Sequence, residues 1–171
     1  MANIYTLGYE GADVQQFVST LLRAGVEIVA DVRAVPLSRK KGFSKRRLSA
    51  ELAAAGIDYM HFVALGNPKS GRDAAKAGKK IEFHRIFSSH LKSKEAEAAL
   101  KSLAELSVSR PTCLLCFERD PHECHRTIVA TELGSYGIKR IDLFIDSPSQ
   151  NVRTNNVMRS SHFDQGAAAT E

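Results

Sequence analysis

The stretch Cys113-Leu-Leu-Cys-Phe-Glu-Arg-Asp-Pro-His-Glu-Cys-His-Arg126 turns from an apolar run into a helix start within a few residues. Cys113 to Phe117 predicts a buried central strand. Asp120-Pro121-x-Glu123 predicts the helix: Asp at the N-cap, Pro at the first helical position and Glu at the third, completing a capping box. That helix is expected to run from Pro121 to about Leu133, where Gly134 and Gly137 end it, and Ile138 to Ile145 predicts a further strand. Cys116, Glu118, His122, Cys124, His125 and Arg126 all fall at the turn.

Upstream, Ile4 to Leu7 is a short β-prone run closed by Gly8-Tyr-Glu-Gly11, and Asp13-x-x-Gln16 opens a helix as a capping box. Val14, Phe17, Val18, Leu21 and Leu22 recur with the spacing of one buried helical stripe. Gly25 ends it, and Glu27 to Asp31 predicts a strand of parallel-sheet character. Between Val32 and Arg47 lies a basic loop with seven cationic residues. Ser44 is placed to cap a helix carrying Leu48 and Leu52, Gly56 stops it, and Ile57 to Val63 predicts another strand. Lys69 to Lys80 has no apolar period and is expected to be a flexible basic loop or lid. Phe83, Ile86, Phe87 and Leu91, then Ala96, Ala99, Leu100, Leu103 and Leu106, mark two more helical stripes.

Strands alternating with helices predict an α/β fold: a single domain over residues 1–146, with a mostly parallel sheet of about five strands and helices on both faces. Residues 147–171 are polar and are expected to form a mobile or weakly docked tail. Ligands of such sheets sit outside the carboxyl ends of the strands. Four strand ends should therefore converge: Gly8 to Gly11, Asp31-x-Arg33, His61 with its loop, and Cys116-x-Glu118.

The chain of 171 residues is 43 % apolar and 25 % charged, ordinary values for a soluble globular protein. No apolar run is long enough for a membrane span, and the first residues lack a secretory signal pattern, so a cytoplasmic protein is expected. Three cysteines without framework spacing predict free thiols. The net charge of +5 favours anionic partners.

Thr6-Leu-Gly-Tyr-Glu-Gly11, Asp31-Val-Arg33 with Pro36 and Ser38, Tyr59-x-His61 with Leu65-Gly66, Leu115-Cys-x-Glu118 and Cys124-His-Arg126 together resemble the domain-of-unknown-function 488 family of bacterial and archaeal proteins. The resemblance runs in order over roughly residues 3 to 145. It implies a compact α/β domain, and its motif positions coincide with the strand ends named above.

A helix N-terminus offers unpaired N–H groups and a positive partial charge, so the turn at Asp120 to Glu123 is a candidate seat for a phosphate or carboxylate. Arg33, Arg126 and His125 are the expected anion-binding residues. The alternative is structural pairing of Arg126 with Glu118 and of Arg33 with Asp31. Glu118, its pKa raised by burial, is the candidate general acid or base beside His61. Tyr9, Glu10, Asp31, Ser38 and Cys124 are expected to line the site.

Cys113-x-x-Cys116 is discounted as a pair because residues three apart on a strand face opposite ways. Cys116, His122, Cys124 and His125 are discounted as a metal set because neighbouring helical residues diverge by about 100°, and no metal ligand is assigned. An anion loop headed by Cys116 fails, because the sixth residue on is His122 and not arginine, but Cys116 remains a candidate nucleophile. The cofactor is left unidentified.

Three functions remain open: an enzyme acting by hydrolysis or group transfer on a phosphate-bearing small molecule or nucleic acid, a non-catalytic nucleic-acid-binding module using the basic loops, and a thiol- or metal-dependent site at Cys116 and Cys124.

Overall fold

Apolar runs that are buried on both faces belong inside a sheet, and two of the predicted strands are of this kind. The computed structural model describes residues 2–145, in which every residue of β2 (Ile28–Asp31) and β4 (Thr112–Cys116) is buried. With β1 (Asn3–Gly8), β3 (Asp58–His61) and β5 (Lys139–Asp142) they form one parallel sheet in the order β3-β2-β4-β1-β5. The polar tail expected at 147–171 lies outside the described residues.

Alternation along β4 divides the core. Cys113 and Leu115 point into a cluster with Leu7, Phe17, Leu21, Phe43, Leu48 and Leu52. That cluster is roofed by α1 (Val14–Arg23) and α2 (Lys45–Ala54). Leu114 points the other way, into a cluster with Phe87, Leu100, Leu103, Val129 and Leu133. Those side chains come from α4 (Lys80–His90), α5 (Lys94–Ser109) and α6 (His125–Leu133). From β1 to β3 the chain steps towards one edge with its helices on the first face. It then returns through β4 to β5 with helices on the second, as a constant crossover hand requires. Connections therefore leave β2 and β4 in opposite directions, which opens a crevice between their carboxyl ends.

Local chemistry accounts for the element starts. Asp13 accepts from the Gln16 N–H at 2.8 Å and the Gln16 side chain accepts from the Asp13 N–H at 2.9 Å, the expected capping box. Ser93 caps α5, with Glu95 and Glu97 near its positive end. Ser44 precedes α2, but its Oγ exchanges hydrogen bonds with the Ser38 backbone at 3.1 Å instead of capping the helix.

Two expectations are corrected. The segment after Pro68 is not a flexible loop: α3 (Lys69–Lys76) occupies it and the first turn of α4 follows. Its buried face consists of Gly71 and Ala74, too small to show an apolar period. The helix after β4 does not begin at Asp120. Pro121–Glu123 is a single 3-10 turn, and the Asp120 side chain accepts from the His122 N–H. The Glu123 carboxylate is taken by Lys80 at 2.5 Å, so no capping box forms, and Cys124 is the N-cap of α6.

The end of β1 meets the turn after β4 with no room for a side chain. A Cβ on Gly8 would lie 1.8 Å from the carbonyl oxygen of Glu118. We predict that Gly8→Ala lowers stability by about 3 kcal/mol, because the obstacle is backbone that must shift. Gly11→Ala meets only its left-handed φ of 79°, with open space around it, and should cost about 1 kcal/mol. Urea unfolding of both variants tests the order; equal midpoints would refute the close-approach argument.

Candidate functional site

A cleft of about 820 Å³ opens at the crevice between the ends of β2 and β4. The loop following β2 contributes Arg33, Val35, Leu37, Ser38, Arg39 and Lys40; the end of β4 and its turn contribute Cys116, Phe117 and Glu118. Asn67, with Arg72 and Lys76 of α3, closes a third side. Leu37, Val35 and Phe117 are exposed apolar groups there. A separate hollow of about 640 Å³ between α4, α5 and the end of α6 is lined by scattered lysines and has no convergent reactive groups.

The loop after β2 is anchored by Asp31, which is wholly buried. Its carboxylate accepts from Arg33 Nε at 2.9 Å, Arg33 Nη2 at 2.6 Å, the Arg33 backbone N–H at 3.0 Å and the Tyr59 hydroxyl at 2.6 Å. Arg33 Nη1 donates to the Tyr9 hydroxyl and the Phe43 carbonyl. The Tyr9 ring stacks on Phe43 at 4.1 Å. Burial works against the Arg33 charge, but its bonds to Asp31 prevail and hold its pKa above the usual value. Burial and the bond to Asp31 raise the Tyr59 pKa as well. Arg33 thus lines the cleft as the partner of Asp31, the structural pairing held open above, rather than as a free anion clamp.

Arg126 is corrected in the same way, for a different reason. Its guanidinium is fully buried and donates to the carbonyls of Glu118 and Arg119 and to Thr6 Oγ1. It lies under the turn, does not line the cleft, and does not pair with the Glu118 carboxylate. Glu10 accepts from the Arg119 N–H at 3.1 Å and so caps that turn from the other side. The pair of Glu118 with His61 does not form either. His61 ends an edge strand and its Nε2 donates to the Arg33 carbonyl at 2.9 Å, away from the cleft lining.

The imidazole beside Glu118 is His125. Cys116 Sγ donates to Glu118 Oε2 at 3.0 Å and lies 3.6 Å from His125 Nδ1, and Cys124 Sγ lies 3.9 Å from the same nitrogen. One donor atom from each of Cys116, Glu118, Cys124 and His125 falls within 4.8 Å of the others. The spacing argument against this grouping fails because Cys124 is not helical. As the N-cap it has φ −126° and ψ 140°, which lets its side chain turn to meet that of its neighbour. His122 stays outside the group. His125 Nε2 is 2.7 Å from the Val32 carbonyl. A carbonyl only accepts, so Nε2 carries the proton and Nδ1 faces the sulfurs.

Burial pushes both thiols up, Cys124 strongly. Glu118 moves in the direction opposite to that expected. Burial favours its neutral form, but the thiol hydrogen bonds, its own N–H and the nearby imidazole outweigh burial and hold it below the usual carboxylate range. Burial opposes a charge on His125, and the contacts with Cys124, Val32 and Glu118 overcome it, raising its pKa. Cys113 lies on the other face of β4, in the apolar cluster under α1 and α2. Asn67, Phe117 and the exposed Val35 and Leu37 are cleft residues that carry no motif, and their spacing held no signal for them.

The family model described as "Domain of unknown function DUF488" matches residues 13–133. No curated protein and no solved structure matches the chain.

Removing Arg126 deprives the carbonyls of Glu118 and Arg119 of their side-chain donor. We predict that Arg126→Ala costs about 3–5 kcal/mol in urea unfolding. Arg126→Lys should recover less than half of that loss, since one ammonium cannot span three acceptors on two segments; near-complete recovery would contradict this account. A second prediction concerns Tyr59. A raised folded-state pKa means that its contribution is complete below the ordinary value of 10.0 and is lost as the pH climbs above it. The stability difference between wild type and Tyr59→Phe should therefore be constant below that pH and narrow above it. A difference that widens there would reverse the sign and defeat the argument.

Proposed function

The chain belongs to the domain-of-unknown-function 488 family, a name that assigns no chemistry, and from its cleft we propose an enzyme that acts on a phosphate-bearing nucleotide or nucleic acid. The observation that carries this reading is the make-up of the cleft itself. Arg39, Lys40, Arg72 and Lys76 stand around the same space as the exposed side chains of Val35, Leu37 and Phe117, and Cys116, Glu118 and His125 are among its lining.

Each part suits one part of such a ligand. Four cations on a loop and a helix suit a phosphate backbone or a polyphosphate, since the chains are long and each neutralises charge without demanding one geometry. Phe117 is held edge-on against Tyr9 at 5.3 Å and leaves part of its ring exposed, a surface on which a base can stack. The thiol, imidazole and carboxylate are the reactive end, and hydrolysis or group transfer is the chemistry they support. Cations beside such a group stabilise charge that develops on transferred oxygens. The ionised state favoured for Glu118 fits a base or a ligand better than an acid.

Binding of labelled single-stranded RNA and DNA across a series of salt concentrations tests the first half. Replacing Arg39, Lys40, Arg72 and Lys76 together with Ala should weaken binding at least tenfold and reduce the salt slope by up to about 3. Unchanged binding would remove the cleft from consideration. For the second half, Glu118→Gln should retain binding and abolish turnover of whichever nucleotide or oligonucleotide the wild type converts. Binding without turnover in the wild type would leave the non-catalytic module.

A further inference from the structure

Cys116, Cys124, His125 and Glu118 carry more than the reactive end of a cleft: from their geometry we infer that they form a tetrahedral site for a single divalent transition-metal ion, zinc first among them. The four side chains hold this geometry whatever the cleft binds. Metal–sulfur bonds of about 2.3 Å and metal–nitrogen or metal–oxygen bonds of about 2.0–2.2 Å set the corners of a tetrahedron about 3.3–3.8 Å apart. Cys116 Sγ and Cys124 Sγ lie 3.6 and 3.9 Å from His125 Nδ1, so these edges are nearly in place. The 3.0 Å separation of Cys116 from Glu118 is shorter because a thiol proton bridges them, and a metal ion would take that proton's place.

Three further features fit a bound ion. The remote nitrogen of His125 donates to the Val32 carbonyl, which fixes the ring and aims the Nδ1 lone pair at the sulfurs, the usual arrangement behind a metal-bound histidine. Cys124 Sγ also receives the Arg126 backbone N–H at 3.5 Å, a contact that stabilises a thiolate more than a thiol.

The third is charge. Two thiolates and a carboxylate against a divalent cation leave the loaded cluster with one net negative charge. The fully buried Arg126 sits alongside, and among the described residues no ion pair includes it. Each cysteine that binds the ion gives up its thiol proton, so a divalent cation replaces two protons and adds no net charge beside this guanidinium. Soft sulfur and imidazole donors in a compact set select zinc-like ions over magnesium or calcium. Glu118, the least buried of the four ligands, lines the cleft together with Cys116 and His125, so the ion would sit in the cleft wall with its four tetrahedral positions filled by the protein.

The test uses the full chain without a polyhistidine tag, reduced, stripped with a chelator and titrated with Co²⁺ under argon. Expected are about one cobalt per chain, visible bands of tetrahedral intensity, a thiolate-to-cobalt charge-transfer band in the near ultraviolet, and displacement of all of these by Zn²⁺. Cys113→Ser should leave the spectrum intact, and Cys116→Ser or Cys124→Ser should weaken affinity at least tenfold. The wild-type charge-transfer band reports the thiolates even if a serine variant fails to fold.

A folded, fully reduced wild type that binds no cobalt would overturn the inference. So would a pale octahedral spectrum indifferent to the cysteines, or isolation of the chain with Cys116 joined to Cys124 as a disulfide. The variant with Arg39, Lys40, Arg72 and Lys76 replaced must still bind cobalt. Metal binding without RNA or DNA binding would sink only the proposed function, and the converse only the metal site.

Discussion

A guanidinium sealed from solvent has to find its hydrogen-bond acceptors within the fold, and Arg126 finds them in the backbone of the turn that carries the site. Its bonds to the carbonyls of Glu118 and Arg119 fix where β4 ends and how the chain reverses towards α6. The same side chain reaches Thr6 Oγ1 in β1, and Thr6 donates onward to Asp142 in β5 at 2.8 Å. One buried cation thus ties three adjacent strands to the loop after the central one. Gly8 lets this turn lie against the end of β1, and Glu10 caps it from there. With its backbone held on two sides, the turn presents Glu118 to Cys116 and His125 at fixed distance, as a reactive or metal-binding group needs.

On the other side of the crevice a carboxylate plays the equivalent part. Asp31 sits at the end of β2 and collects four donors, two of which are the forked nitrogens of Arg33. Removing either partner alone would leave a buried charge behind, so the pair holds together the loop it belongs to. Through Arg33 the network extends to Tyr9 and the Phe43 carbonyl, which fastens the basic loop back onto the sheet before α2 begins. The two walls of the cleft are therefore built by different chemistry: an ion pair stiffened by aromatic stacking on one side, a cation solvated by carbonyls on the other. Val32 links them, since its carbonyl receives His125.

The fold was legible because burial leaves periodic marks. Asp13 and Gln16, the stripe through Phe17 and Leu21, and the unbroken apolar runs before Asp31 and Phe117 each announce an element and its type. α3 was not legible, since Gly71 and Ala74 carry no hydrophobic signal and Gly71 is small because the Asn67 side chain fills the space beside it. The position of the cleft followed from topology, but the contacts of the residues around it did not. Composition cannot say whether an arginine faces solvent, a carboxylate or two carbonyls, so Arg33 and Arg126 read alike and behave differently. Nor can spacing reveal that a cysteine at an N-cap escapes helical divergence, and that geometry is what lets Cys124 and His125 face one point. Strand topology places His61 at the same end of the sheet as Glu118, but in the fold α6 begins against the end of β4 and brings His125 to Cys116 and Glu118 instead.

The cations divide by environment, and the division bears on function. Arg33 and Arg126 are consumed internally, and neither donates freely to the cleft. The positive potential around the cleft comes instead from Arg39, Lys40, Arg72 and Lys76, on the basic loop and on α3. Charges at the surface act within a Debye length of about 8–10 Å at ordinary ionic strength and weaken as salt is added, whereas the buried contacts change little. In the proposed function, capture of an anion would thereby be separated from the integrity of the site. On that proposal the rim would vary its grip on a phosphate-bearing chain while the turn after β4 keeps Glu118, Cys116, Cys124 and His125 in register. A rigid donor cluster under a cationic rim follows from this order of construction, with the strongest electrostatic contacts spent on the scaffold and the more exposed, screened ones left at the mouth of the cleft.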